Sequence, residues 1–137
     1  MSSAMTADEE IRDHQARCEP YLLQLRIFAH GHYGPMPTAA EVAQATGVII
    51  AEVGAGSHAA SAAAGFRRAG SGTGMFLQVR LDRLSTAAEE AVAAARDGNF
   101  AVLSRVLRRF DALTTAIWTV QLAVYEPGGS PAEPASR

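Results

Sequence analysis

The stretch that most constrains this chain runs from Phe100 to Tyr125. Phe100, Leu103, Leu107, Phe110, Leu113, Ile117, Val120 and Val124 recur every three or four residues, the spacing of one stripe on an α-helix. A second row, Thr114, Trp118, Leu122 and Tyr125, lies beside it, and no residue from Ala112 to Tyr125 is charged. A helix that is apolar around so much of its girth must be enclosed by several neighbours, or by neighbours and a second copy of the chain. The uncharged run is also shorter than the roughly 20 residues a bilayer demands. The expectation is therefore the central helix of a soluble bundle, with no membrane span.

The remaining segments supply candidate neighbours. Asp8 to His30 reads as a helix with acids in its first turn and Ile11, Cys18, Leu22, Leu25 and Ala29 on its buried side. Pro20 should kink or restart it, by removing a hydrogen bond and crowding the carbonyl of Ala16. After the turn from His30 to Pro37, Thr38 and Glu41 form a capping box that opens a helix to Arg68, either continuous or hinged at Gly47. Its middle, Gly54 to Gly65, is nearly bare of side chains. A helical glycine costs about 0.8–1 kcal/mol relative to alanine, so this stretch needs a tertiary reason. Either another helix packs unusually close, with Trp118 or Phe110 against the smooth face, or the small residues leave a ligand cavity with His58 as its polar handle. Close packing is the first reading.

Met75 to Arg96 carries Leu77, Leu81, Leu84, Ala88, Ala91 and Ala95 in four-three alternation, a coiled-coil-like seam. A two-residue period over Met75–Leu81 would instead make a short strand; the helical pattern is longer and ranks first. Asp97-Gly98 closes this helix and Asn99 can cap the next. Residues 1–7 should be a flexible start and 126–137, rich in proline, glycine and serine, a disordered tail, leaving one domain over 8–125.

Charge and cysteine content narrow the function classes. The net charge is −2, and all the basic residues are arginine, without the excess that a nucleic-acid backbone rewards. The single cysteine, Cys18, excludes an intrachain disulfide and points to the cytoplasm. On an apolar face it should be a packed, inert thiol.

Pro37-Thr38-Ala39-Ala40-Glu41-Val42-Ala43-Gln44-Ala45-Thr46-Gly47-Val48 resembles the first helix and turn of bacterial helix-turn-helix repressors, with Ala43, Gly47 and Val53 at the small, turn and core positions. That resemblance implies a DNA-binding transcriptional regulator using residues 38–68. The segment that should be its recognition helix, Val48 to Gly65, has no cation to aim at bases or phosphates.

The first reading is an all-α, four-helix antiparallel bundle, homodimeric through the 100–125 helix. It would be a non-catalytic binding or accessory protein holding a small molecule or a protein partner in an inter-helix or dimer-interface pocket. His58, Trp118, Tyr125 and Phe110 are candidate pocket residues. His30, His32 and Tyr33 form a second set on the most polar-aromatic loop, and Arg105, Arg108 and Arg109 a patch for an anion or an acidic partner. These arginines should otherwise pair with acids such as Asp97 or Asp111. His30-Gly31-His32 has no fixed third ligand, so neither a metal nor another cofactor is expected. A small helical enzyme using the His and Tyr residues is the last alternative: Glu10 and His14 stand one turn apart, but no third group is fixed beside them.

Overall fold

The computed structural model describes residues 6–31, 35–67 and 73–125, and among these the side chains outside 63–76 and 124–125. They form α1 (Ala7–His30), α2 (Ala39–Arg67), α3 (Thr73–Arg96) and α4 (Phe100–Tyr125), with no strand among the described residues. α1 packs on α2 and α4, α3 packs on α2 and α4, and α2 also touches α4 across the middle. No helix among the described residues is long and apolar enough to cross a membrane.

Local chemistry sets the helix ends. Thr6 and Glu9 make a capping box at α1, where the Glu9 amide donates to Thr6 Oγ1 and the Thr6 amide to Glu9 Oε1. Thr38 and Glu41 repeat it at α2, at 2.8 and 3.0 Å. Asn99 Oδ1 accepts from the Val102 amide at α4. Gly31 (φ +64°) and Gly98 (φ +69°) adopt the left-handed conformation that closes α1 and α3.

Several expectations change. α1 is continuous through Pro20 rather than restarted there. Both Pro20 and Ala16, whose carbonyl loses its helical partner, are exposed, so water can serve the orphaned oxygen. α2 passes unbroken through Gly47, so residues 38–67 contain no helix-turn-helix. Val42, Ala45, Ile49 and Val53, all buried on one face, carry the helix through the weak residue. Residues 75–81 are helical, the reading ranked first, and α3 begins at Thr73 rather than Met75.

The seam of α4 also differs from the apolar stripe. Leu103, Leu107, Phe110, Thr114, Ile117 and Gln121 are buried in strict four-three alternation, with Val106 and Trp118 buried beside that row, whereas Leu113 and Val120 are half-buried. Phe100 lies outside the core, at 37 % exposure, at the end of the bundle, where it borders a dent shared with Ile27 and Phe28 at the end of α1 and with Gly31 and Pro35 to Pro37 after it.

That loop generates the first prediction. A Cβ on Gly31 would lie 2.3 Å from Phe100 Cζ, and its φ is unfavourable for any L side chain. Gly31→Ala should lower stability in urea by about 1–3 kcal/mol. Much of that loss should persist with Phe100→Ala, since the ring can swing away and the backbone cannot.

Candidate functional site

The strongest candidate lies where α4 crosses α2. Gly56, buried on α2, presents bare backbone to α4: an added Cβ would sit 2.5 Å from Gln121 Oε1 and 3.0 Å from Trp118 Cζ3. The smooth stretch of α2 is thus used for close packing at this point, by Trp118 as the sequence suggests and by Gln121. Gln121 Nε2 donates to the Val53 carbonyl at 3.0 Å and to Ser57 Oγ at 2.7 Å. The reverse amide orientation would set its oxygen against the Val53 carbonyl, acceptor against acceptor, so these bonds fix the assignment.

With both amide hydrogens committed to α2, two atoms remain unmatched. Trp118 Nε1 and Gln121 Oε1 are buried and have no hydrogen-bond partner among the described residues. The other buried hydroxyls of the seam are satisfied within their own helices, Thr46 by the Val42 carbonyl at 2.8 Å and Thr114 by the Phe110 carbonyl at 2.9 Å. Each unmatched group costs on the order of 1–3 kcal/mol, so a donor and an acceptor left open three residues apart demand an explanation.

The sequence candidates separate around this pair. Trp118 and Phe110 are both buried in the core. His58 points out to solvent while its neighbour Ser57 turns inward, so it is not a polar handle in the pair's surroundings. His30 is exposed in the last turn of α1, far along the chain from the buried pair. His32, Tyr33 and the side chain of Tyr125 lie outside the described residues. What the structure describes at the turn after α1 is an apolar dent of about 230 Å³ between Ile27, Phe28, Gly31, Pro35, Met36 and Phe100.

Arg105, Arg108 and Arg109 are exposed. Arg109 pairs with Glu90 on α3, not with Asp97 or Asp111. Arg105 and Arg109 border an open groove of about 350 Å³ together with Glu90 and Asp97, so acids offset the basic patch. Asp111 is held by the forked guanidinium of Arg26, at 2.8 and 3.0 Å, which raises the Arg26 pKa.

A second cluster answers the missing third group beside Glu10 and His14. Glu52, from α2, lies 2.6 Å from His14 Nδ1 and 3.2 Å from Arg17 Nε. Arg17 Nη2 is also 2.9 Å from His14 Nδ1, but an Nδ1–H that donates to the Glu52 carboxylate cannot also accept, so the carboxylate bond governs the tautomer. The hydrogen bond from His14, reinforced by Arg17 and opposed by burial, holds the Glu52 carboxyl below its ordinary range. The nearby thiol offers no nucleophile: Cys18 is fully buried and its pKa is pushed up to about 12, by burial first and by Glu52 and Glu19 next. The cluster therefore reads as a clip joining α1 to α2. No group of three or more possible metal ligands gathers among the described residues.

Sequence reasoning missed Gln121 and Glu52. The first was within reach, since the four-three alternation that fits α3 also runs through Thr114 and Gln121 on α4. The second had no local signal, because its partners lie 38 and 35 residues away. No protein-family model, no curated protein and no solved structure matches this chain.

Two measurements test this packing. Gly47→Ala, where a new Cβ meets nothing within 4 Å, should stabilise by about 0.5–1 kcal/mol through helix propensity. Gly56→Ala should instead destabilise, by about 1–3 kcal/mol, because the buried amide it strikes is tied to α2. Glu52 sets a pH dependence: its folded pKa is lowered, so its contribution is complete above the ordinary value of 4.5 and fades as pH falls through the lowered one. Glu52→Gln should be less stable than the wild type at neutral pH, with the gap closing on acidification below 4.5.

Proposed function

We propose that the chain is a non-catalytic, cytoplasmic binding protein, an antiparallel four-helix bundle acting as a homodimer, that holds an uncharged small molecule between its helices. One observation carries this reading: the buried Trp118 Nε1–H and Gln121 Oε1, a donor and an acceptor that the described residues leave unmatched. What the two atoms lack is an acceptor for the indole N–H and a donor for the amide oxygen, both of which neutral hydroxyls and carboxamides supply. A carboxylate would meet the lone pairs of the Gln121 oxygen, and an ether or ketone would leave it unserved. The buried polar residues described are Thr46, Ser57, Thr114 and Gln121, with no charged side chain among them, which suits a neutral ligand. Because contact closes the Gly56 flank, the ligand enters by easing α4 from a neighbour.

The antiparallel arrangement is supported by contacts between opposite helix ends. Ser104, early in α4, donates to the Ala29 carbonyl at the end of α1 at 2.7 Å, and Ala43 to Ile50 of α2 face Ser85 to Arg96 of α3. The homodimer fits less well on α4 than the sequence suggested. Leu103, Leu107, Phe110, Ile117 and Trp118 turn inward, leaving Ala112, Thr115, Ala116, Thr119 and Ala123 outside.

Trp118 is the only tryptophan, so its indole N–H gives a single amide-region resonance. Benzyl alcohol or benzamide should shift that resonance saturably and raise the melting temperature, while benzoate should not. Gln121→Leu should weaken both neutral probes by about tenfold, the equivalent of 1.4 kcal/mol. An indole resonance unmoved by either neutral probe would defeat the reading.

A further inference from the structure

The seam between α2 and α3 differs from the other outer seams. Ion pairs join α1 to α2 (Arg17–Glu52), α1 to α4 (Arg26–Asp111) and α3 to α4 (Arg109–Glu90). None of the described ion pairs joins α2 to α3. In their place runs an open, mainly apolar groove of about 520 Å³ over Ala43, Gly47, Ile50, Ala88 and Val92, with Glu89 and Arg96 at its rim. Gly47 leaves its floor bare, since a Cβ there would meet nothing within 4 Å. Glu89 and Arg96 are exposed, and neither has an ion-pair partner among the described residues. Seven positions apart on α3, they stand about 10.5 Å apart along the axis, too far for the one-turn pairing open to helix neighbours.

We propose that this groove docks a second copy of the chain, with the two α3 helices antiparallel about a two-fold axis near Val92 and Ala93. The inference rests on the homodimer in the reading above and places its interface on α3 rather than α4. A two-fold axis midway between an acid and a base reverses their order, so each Glu89 meets the partner's Arg96 and each Arg96 the partner's Glu89. Between the two charged pairs, half-buried Val92 and exposed Ala93 are small enough for helix axes to approach to about 8–10 Å, which gives an apolar centre with a charged rim. Exposed ion pairs fix register more than they add affinity, so the dimer is weak and loosens with added salt.

Charge exchange tests the symmetry directly, read as the dissociation constant by sedimentation equilibrium, with circular dichroism melting to confirm the fold. Glu89→Arg and Arg96→Glu should each weaken dimerisation tenfold or more by setting like charges opposite one another. The double variant should return to within about threefold of the wild type. An equimolar mixture of the two single variants should also dimerise, because an all-arginine rim then faces an all-glutamate one. A wild-type chain that stays monomeric at millimolar concentration would overturn both the homodimer and this surface. A dimer indifferent to both charge reversals, or a double variant no better than the singles, would overturn the α3 surface and leave the homodimer standing.

Discussion

The contact between Gly56 and the Trp118–Gln121 edge of α4 governs the bundle. Helices on a diagonal are normally held apart by a layer of side chains; here α2 and α4 touch because α2 offers no Cβ where the α4 side chains arrive. Close approach alone would leave α4 free to slide along a smooth surface. The Gln121 amide removes that freedom, since its two hydrogens reach α2 at Val53 and Ser57 in one register only. A shift of one turn would bury the whole amide without partners, a loss of a few kcal/mol for two strong donors. The glycine permits the approach, and the glutamine selects one version of it.

What could be read from the sequence divides along chemical distance. The caps at α2 and α4 were legible because their partners lie within one turn: Thr38 with Glu41 and Asn99 with Val102. The number and order of helices followed from periodicity. Gly47 left a continuous and a hinged helix both open, and the continuous one forms because a local turn signal worth about 1 kcal/mol is overruled by Val42, Ala45, Ile49 and Val53, each of which contributes on that order or more when buried. Phe100 misled, because the stripe continues to the end of the bundle.

The site was half legible. Trp118 and Phe110 sit on the buried side as their spacing indicates, yet His58, one residue from Ser57, faces water, because adjacent residues of a helix diverge by about 100°. Choosing the seam of α4 by hydrophobicity selected Leu113 and Val120; choosing it by period selects Thr114 and Gln121, which are the buried ones. A polar residue on the strict seam is more informative than an apolar one beside it, since its burial must be justified by a hydrogen bond. Here Gln121 is justified for its nitrogen and not for its oxygen.

The electrostatic arrangement follows from the same economy of side chains. Alanine and glycine cover so much of α2 and α3 that their shared outer seam has little bulk with which to close itself, and an open groove results. On the α1 side, long side chains bridge the seams instead: Arg17 and His14 converge on Glu52, and Arg26 forks onto Asp111. A bundle with three outer seams clipped by its own charges and the fourth open, small-walled and edged by an acid and a base without ion-pair partners among the described residues has its polarity already distributed. The clipped seams hold the fold together, and the open one keeps room on its floor and an exposed acid and base at its rim.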